Sequence, residues 1–185
     1  MINWTKGNLL DAQVDAQVNT VNTVGIMGKG IALQFKRAYP ENFKAYEAQC
    51  KAKKLKTGKV FIFKNPGLTQ PRYIINFPTK EHWKGNSKLS YIDDGLADLV
   101  AQLRTLPIKS VALPPLGCGN GGLDWSAVRP RIVAALAALP DITFQVYEPD
   151  SAPEASKMPN RTKRPPMTAG RAAVIEFMRR YRDEG

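Results

Sequence analysis

Apolar positions along this chain alternate between short strand-like runs and longer stretches with helical spacing. Apolar residues at intervals of three and four predict four helices, at residues 30–39, 41–54, 90–106 and 126–139. Short runs rich in β-branched and aromatic residues predict a strand at the N-terminus and strands at residues 18–22, 59–64, 72–77, 110–114 and 143–147. Because strands alternate with helices, we expect an α/β layered fold.

The pattern changes after Tyr147. Five prolines and a basic cluster of Arg161, Lys163 and Arg164 lie between residues 148 and 168, which predicts an exposed linker. Beyond it, a short helix would carry an apolar stripe of Val174, Phe177, Met178 and Tyr181. That stripe either packs back on the main domain or begins a second domain or partner-binding element. We therefore expect one domain over residues 1–150, followed by a basic, proline-rich linker and helix over 151–185.

Composition narrows the class of protein. The chain has 185 residues, of which 43% are hydrophobic, enough for one domain with a buried core. No apolar run approaches the ~20 residues of a membrane span, and the N-terminus lacks the apolar segment of a signal peptide, so we expect a cytoplasmic protein with no membrane partner. Cys50 and Cys118 are far apart and lack metal-ligand spacing, so we expect no disulfide framework, no metal and no cofactor.

The net charge of +11 is spread over the whole chain. Residues 1–150 carry 19 Lys and Arg against 12 Asp and Glu, and residues 151–185 carry 8 against 4. One basic run covers residues 51–59, and Lys80, Lys84 and Lys88 form another. Such runs are either a solvated surface or a surface that attracts nucleic acid, and charge alone does not decide between them.

Two glycine-rich loops carry the first sign of chemistry. Loop 1 (residues 23–32) and loop 2 (residues 114–125) each follow a predicted strand and lead into a predicted helix. Glycines let the backbone approach a phosphate closely, and the N–H groups of a helix N-terminus favour an anion. The loops either hold one diphosphate from opposite sides or are unrelated turns. Neither matches a P-loop or the dinucleotide pattern G-x-G-x-x-G.

These residues together resemble a known family. Lys6-Gly7-Asn8-Leu9, residues 18–22, loop 1 and Leu116-Gly117-Cys118-Gly119 are similar to a macro domain. More narrowly, three segments resemble macro domains of the DarG type: Asn76-Phe77-Pro78-Thr79-Lys80, His82-Trp83 and residues 119–125. The resemblance covers roughly residues 1–150. It implies a three-layer α/β/α sandwich with a central mixed β-sheet and a pocket for ADP-ribose.

The resemblance also implies roles for individual residues. Asn8 and Leu9 would lie near the adenine and Asn22 near the distal ribose, although many macro domains have Asp where this chain has Asn8. The remaining implied contacts to ADP-ribose are Gly25, Met27, Gly28, Lys29, Gly30, Ile31, Thr79, Pro115, Gly117, Cys118, Gly119, Asn120, Gly121, Gly122 and Leu123. No activating base lies beside Cys118 in the sequence, so we interpret its thiol as packing rather than as a nucleophile.

Lys80 is the candidate catalytic residue. Its position alone favours an ordinary surface lysine, whereas DarG-type macro domains use this lysine in catalysis. An ammonium would stabilise or protonate the departing base, and a free amine would attack the anomeric carbon; a nearby diphosphate favours the ammonium. Gly121 stands where related lysine-bearing macro hydrolases of animals have Asp. The nearest acid is Asp124, which we expect to cap the following helix.

The implied activity is removal of ADP-ribose from thymine bases of single-stranded DNA, which would reverse the modification made by a DarT toxin. His82, Trp83 and Lys84 are the candidate DNA contacts, with Trp83 either stacking on a base or filling the core. The C-terminal region would bind the toxin. Alternatives are a hydrolase acting on ADP-ribosylated acidic side chains of proteins, a non-catalytic ADP-ribose reader, and a toxin-binding module acting only through its C-terminal helix.

Overall fold

The computed structural model describes residues 1–67, 70–149, 159–162 and 166–183, with backbone alone for 181–183. The strands are β1 (Ile2–Thr5), β2 (Ala16–Asn22), β3 (Phe61–Lys64), β4 (Tyr73–Lys80), β5 (Ser110–Leu113) and β6 (Thr143–Tyr147). The helices are α1 (Gly30–Ala38), α2 (Pro40–Lys51), α3 (Leu89–Leu103), α4 (Trp125–Leu136) and α5 (Ala169–Asp183), with a 3-10 turn at Leu9–Asp11. None of the helices in these described ranges is long and apolar enough to cross a membrane.

The six strands form one mixed sheet in the order β1-β6-β5-β2-β4-β3. Only β3 runs antiparallel to its neighbour β4, and the other pairs are parallel. The carboxyl ends of β2, β4, β5 and β6 therefore meet at one edge of the sheet, where ligands collect in open α/β folds. Asn22 and Lys80 end adjacent strands there and are paired with each other, after a register shift that leaves Thr79 without a partner on β2.

Helices cover both faces of the sheet. Side chains such as Val18 and Ile75 point into the core under α3 and α4, whereas Ile74 packs on the other side with Phe35 of α1. Alternate residues of β4 thus enter opposite cores, as the two-residue period of a strand requires. The three-layer α/β/α sandwich with a mixed sheet that the sequence predicts is confirmed.

Several element boundaries differ from those predicted. The helices α3 and α4 end at Leu103 and Leu136, well before Pro107 and Pro140, so the prolines do not themselves terminate them. Strand β4 runs on to Lys80 and includes Pro78. On the β3 side, pairing with β4 reaches only as far as Asn76, so a missing N–H at Pro78 breaks no bond to β3. On the other side, Pro78 stays paired with Val21 of β2.

Helix α2 ends at Lys51 rather than at residue 54, because the chain turns at Lys53. The backbone φ of Lys53 is +55°, and the amides of Lys53 and Lys54 donate to the carbonyls of Cys50 and Gln49 at 2.9 and 3.0 Å. This pair of bonds is the Schellman pattern that closes a helix C-terminus.

The amino edge of the sheet is held by Asp15. Its carboxylate accepts hydrogen bonds from the amides of Lys109 and Ser110 at 2.7 and 3.1 Å and pairs with Arg72 at 2.9 Å. Burial alone would raise the pKa of Asp15, but these partners together lower it below its usual value. The carboxylate thus joins the start of β2 to β4 and β5.

The apolar side chains of α5 are exposed. Val174, Phe177 and Met178 are 59%, 71% and 65% exposed, so of the two alternatives for this stripe, the one in which it packs back on the domain does not hold for these three side chains. The side chain of Tyr181, and Lys163 and Arg164 of the predicted linker, lie outside the described residues. The amide of Arg161 donates to the Arg37 carbonyl at 2.7 Å, which holds this part of the linker against α1.

Candidate functional site

A cavity of about 880 Å³ opens at the carboxyl edge of the sheet, between loop 1 and loop 2. The loops come close together, because a side chain added at Gly30 would lie 2.9 Å from the Asn120 amide nitrogen. Both positions line the cavity, so the loops face one space from opposite sides. The alternative of two unrelated turns is excluded.

The N-terminus of α1 is open toward this cavity. Its capping residue, Lys29, makes no side-chain hydrogen bond to the helix amides, and Gly30, Ile31 and Ala32 of the first turn all line the cavity. Helix α4 differs, since Asp124 caps it by accepting from the Ser126 amide at 2.8 Å. That bond lowers the pKa of Asp124. The first turn of α1 is therefore the helix terminus suited to an anion.

Asn22 organises loop 1 from inside. Its side-chain oxygen accepts from the amides of Val24 and Ile26 at 3.0 and 3.3 Å, and its amide nitrogen donates to the Ile26 carbonyl at 2.5 Å. The buried Tyr46 hydroxyl donates toward the backbone and side-chain oxygens of Asn22, at 2.8 and 3.0 Å. Asn22 lines the cavity, but these internal bonds occupy both ends of its amide.

Lys80 is buried in the cavity wall. The residue is only 8% exposed, and its ammonium donates to the carbonyls of Gly85 and Asn120 at 3.0 and 2.5 Å. No ion pair to it occurs in the described part of the chain, and burial lowers the pKa of Lys80 from its usual value. Two of its three N–H donors are thus held by backbone, and the third remains for a ligand.

Gly121 has no room for a side chain. A Cβ there would lie 2.3 Å from both the Gly117 carbonyl oxygen and the Ser87 hydroxyl. The backbone is fixed at this point, since the Ser87 amide donates to the Gly121 carbonyl at 2.9 Å and the Leu123 amide donates to the Gly117 carbonyl at 3.0 Å. Loop 2 therefore cannot carry an acid at this position without moving.

An apolar rim surrounds the cavity mouth. Trp83 is 43% exposed, and Val24 and Ile26 of loop 1 are similarly exposed. Of the two alternatives for Trp83, filling the core is therefore excluded. The Lys84 ammonium lies 5.0 Å from the centre of the Trp83 ring, and His82 stacks obliquely on the same ring at 5.5 Å. An exposed aromatic ring beside a cation suits a nucleic acid base.

Most of the predicted site residues meet in the cavity, but six do not. The residues that line it are Asn8, Leu9, Asn22, Gly28, Lys29, Gly30, Ile31, Thr79, Lys80, Trp83, Lys84, Pro115, Gly117, Gly119, Asn120 and Gly121. Those outside its lining are Gly25, Met27, His82, Cys118, Gly122 and Leu123.

Met27 and Cys118 are core residues despite their place in the glycine loops. Met27 is 2% exposed and packs with Val21 and Tyr46 beneath loop 1. Cys118 packs against the core under α3 and α4, and burial, with the charge of Asp124, raises its pKa to about 11. A thiol with that pKa is protonated at neutral pH, which agrees with a packing role.

Sequence reasoning missed part of the cavity lining. The residues it missed are Gly7, Thr20, Val21, Ile26, Ala32, Leu33, Gln34, Pro114, Tyr147, Glu148 and Pro149. Those at the ends of β2, β5 and β6 follow from the topology, because parallel strands end at one edge. Strand order was the missing information. Within the described ranges, no cluster of His, Cys, Asp and Glu is arranged to hold a metal ion.

Comparison with known proteins gives concordant matches. The sequence model of the macro domain family matches residues 18–132. A Thermus aquaticus protein named as a DNA ADP-ribosyl glycohydrolase is 50% identical over 182 residues, covering 98% of this chain and 50% of that protein. The chain spans about half the length of the curated relatives it matches first.

Solved structures agree in fold. The macrodomain of Mycobacterium tuberculosis DarG matches with a TM-score of 0.79 and 56% identity, over 80% of this chain and 98% of that one. Thermosipho africanus DarTG, solved in complex with ADP-ribose, matches with a TM-score of 0.77 and 33% identity over 84% of this chain and 43% of that one.

Proposed function

This chain belongs to the macro domain family, and we propose that it binds ADP-ribose and hydrolyses its bond to thymine in single-stranded DNA. The observation that carries the proposal is the buried Lys80 ammonium, held by two carbonyls at the wall of a cavity with an uncapped helix N-terminus. The named activity of the Thermus aquaticus relative supports the same reaction.

The ADP-ribose is proposed to lie across the carboxyl edge of the sheet. Its diphosphate would bind the free amides of Gly30 and Ile31, where the dipole of α1 favours negative charge. The adenine would lie toward Asn8 and Leu9. The Asn8 side-chain oxygen already accepts from the Leu10 amide at 3.1 Å, so only its second lone pair is available to an adenine amino group.

Lys80 is proposed to act as an ammonium. When the bond between the ribose C1″ and the thymine nitrogen breaks, the electron pair leaves with the base. The third N–H of Lys80 would stabilise that charge or protonate the base, while Gly85 and Asn120 fix its direction. Burial lowers the pKa of Lys80, and the substrate diphosphate would oppose that change.

Water is proposed to complete the reaction without a covalent lysine intermediate. Release of a lysine-bound sugar would need an acid on loop 2, where Gly121 has no space for one and Asp124 is engaged as a helix cap. We assign water activation to a phosphate oxygen of the substrate. The water oxygen bonds to C1″ as the bond from C1″ to the thymine nitrogen breaks, and the phosphate oxygen takes one proton from the water. That proton passes to the thymine nitrogen, or to Lys80 when the lysine has already protonated the base.

The DNA side of the reaction is assigned to the apolar rim. Trp83 would stack on the modified base or on its neighbour, and Lys84 would pair with a phosphate. His82 supports the Trp83 ring from outside the cavity. A protein substrate with an ADP-ribosylated carboxylate would use neither the stacking surface nor the cation, which is why DNA is preferred.

A partner role for the C-terminal region is also part of the proposal. The exposed apolar side chains of Val174, Phe177 and Met178 offer a surface for a DarT-like toxin. The match to Thermosipho africanus DarTG supports this pairing, as does a relative from that organism named as a DNA ADP-ribosyl transferase-DNA ADP-ribosyl glycohydrolase fusion protein. We place the protein in the cytoplasm, with its DNA substrate.

The test is turnover of an oligonucleotide carrying ADP-ribosylated thymidine. The protein is expected to release free ADP-ribose and unmodified DNA. Lys80→Met should lower the single-turnover rate by about 10²–10⁴-fold while ADP-ribose binding, followed by calorimetry, is retained. Lys84→Met, the same substitution at a nearby lysine, is the control. Its rate at saturating substrate should stay near that of the unmodified protein.

Each alternative predicts a different result. ADP-ribose binding without turnover would identify a reader. Equal rates on ADP-ribosylated glutamate in a protein would contradict the preference for DNA. Full activity of Lys80→Met would remove the catalytic assignment, and a protein that binds a DarT-type toxin but no ADP-ribose would be a toxin-binding module alone.

A further inference from the structure

The lysine-rich segment after α2 has charge that the proposed reaction does not use. We define the lysine cluster as Lys53, Lys54 and Lys56, all of which are exposed. The lysines on either side are neutralised, since Lys51 pairs with Glu47 at 2.8 Å and Lys59 pairs with Asp98 at 2.9 Å. None of the three in the lysine cluster forms an ion pair with a described residue. Their charge is therefore available to a partner.

The backbone at Lys53 is unfavourable for a lysine. Its φ of +55° lies in the left-handed region, and the other described residues with positive φ are all glycines. The position closes a Schellman motif, where glycine is usual because it avoids the clash of a Cβ. A cation near a helix C-terminus interacts favourably with the helix dipole, but Lys51 and Lys54 already supply positive charge there. A side chain at residue 53 thus has a cost that the fold does not explain.

The lysine cluster lies next to loop 1. A side chain added at Gly25 would touch Cys50 and Glu47, at 3.5 and 3.6 Å, so the last turns of α2 pack against this loop. Leu55, which lies between Lys54 and Lys56 in the chain, is buried with Val21 and Met27. The cluster is therefore anchored directly behind the loop that forms one wall of the cavity.

Loop 1 itself forms the bridge between the cavity and the lysine cluster. Val24 and Ile26 are 45% and 43% exposed on the loop, and Ile26 also lines the cavity with Lys80 and Trp83. The amide and hydroxyl of Thr23 both donate to the Glu81 carbonyl, at 3.0 and 2.9 Å. This pairing holds the start of the loop beside the segment that leads to Trp83.

We propose that the lysine cluster binds the phosphates of the single-stranded DNA flanking the modified nucleotide. The strand runs from Trp83 over Val24 and Ile26, whose apolar side chains contact unstacked bases, to Lys53, Lys54 and Lys56. Single-stranded DNA is the occupant that combines phosphate charge with exposed base surface. This inference rests on the proposed function and adds that the substrate is a DNA strand of several nucleotides rather than an isolated modified nucleoside.

The test compares modified substrates of two lengths with two sets of substitutions. Against an ADP-ribosylated trinucleotide, an oligonucleotide of about 15 nucleotides should have a KM lower by about tenfold at low salt. The cluster variant, Lys53→Gly with Lys54→Gln and Lys56→Gln, should lose that advantage with kcat unchanged. For the cluster variant, the slope of log KM against log salt concentration should be smaller by about 2, because three phosphate contacts to a single strand are lost.

The control variant removes the same charge from the opposite edge of the sheet. It combines Lys64→Gln, Arg104→Gln and Lys109→Gln, and should behave like the unmodified protein in all of these measurements. The single change Lys53→Gly should raise the melting temperature by about 2 °C while weakening binding of the longer strand. A lysine kept only for the helix terminus would give no change in DNA binding.

The outcomes separate this inference from the proposed function. Equal KM values for the two lengths, or equal losses in the cluster and control variants, would overturn the inference while leaving hydrolysis intact. If neither substrate is turned over, the proposed function fails. The lysine cluster is then tested separately, by measuring the affinity of the cluster and control variants for unmodified single-stranded DNA by fluorescence anisotropy. If poly-glutamate competes as effectively as poly-dT of equal charge, the lysine cluster is a non-specific anion surface. That result would also overturn the inference.

Discussion

The tight fit around Gly121 leads to a sharp prediction, because its two nearest atoms differ in how easily they can move. In Gly121→Ala, the new Cβ would start 2.3 Å from the Gly117 carbonyl oxygen and 2.3 Å from the Ser87 hydroxyl. The hydroxyl can rotate away, but the carbonyl belongs to a backbone fixed by the Leu123 amide at 3.0 Å. Loop 2 must therefore shift, at an overpacking cost of about 1–3 kcal/mol.

The shift should reach the chemistry as well as the stability. A loss of about 1–3 kcal/mol corresponds to a fall in melting temperature of about 2–12 °C for a chain of this size. Asn120 precedes Gly121, and its carbonyl is one of the two that hold the Lys80 ammonium. We expect Gly121→Ala to lower kcat as well, and Gly121→Asp to lower it further rather than to supply a useful acid.

Thermal melts and single-turnover rates check this prediction with a matched control. Gly119→Ala changes the same loop two residues away, where a Cβ would meet nothing within 4 Å, and its melting temperature should stay unchanged. Adding Ser87→Gly to Gly121→Ala should restore part of the stability and leave the part due to the Gly117 carbonyl. If Gly121→Ala has the same melting temperature as Gly119→Ala, the steric argument is refuted.

Three further predictions concern the framework of the site. Asp15→Asn should destabilise the protein by about 1–3 kcal/mol at pH 7. Because folding lowers the pKa of the Asp15 carboxyl, thermal melts should show the stability difference between the two proteins shrinking as the pH falls through the pKa of the folded state. In Gly95→Ala, the Cβ would lie 2.3 Å from the Phe77 ring, so urea titration should show a loss of about 1–3 kcal/mol that Phe77→Leu in the same chain partly relieves. Tyr46→Phe removes the hydroxyl bonded to Asn22, and calorimetry should show weaker ADP-ribose binding at a cost of about 1 kcal/mol in stability; unchanged affinity would show that loop 1 holds its shape without that bond.

Much of the fold could be predicted from local patterns. The period of the apolar residues marked every strand and helix of the main domain, because burial on one face requires that period. The order of strand, glycine loop and helix identified both walls of the cavity, since parallel strands end at one edge of a sheet. The 3-10 turn at Leu9–Asp11 and the end of α2 at Lys51 were not predicted. They depend on single hydrogen bonds and on one backbone dihedral angle.

The sequence by itself determined which residues belong to the two glycine loops and that Lys80 stands at a strand end. Only the tertiary structure decided what each one does. It buried Met27 in the core and exposed Trp83 at the cavity mouth, because the direction of a loop side chain depends on what packs beneath it. It also left Gly121 without space for an acid, and gave Lys80 one carbonyl partner from the loop that follows β4 and one from loop 2. Those properties depend on contacts of loop 2 with the segment that contains Lys80, Gly85 and Ser87, which lies about 30 residues earlier in the chain, and no local pattern encodes them.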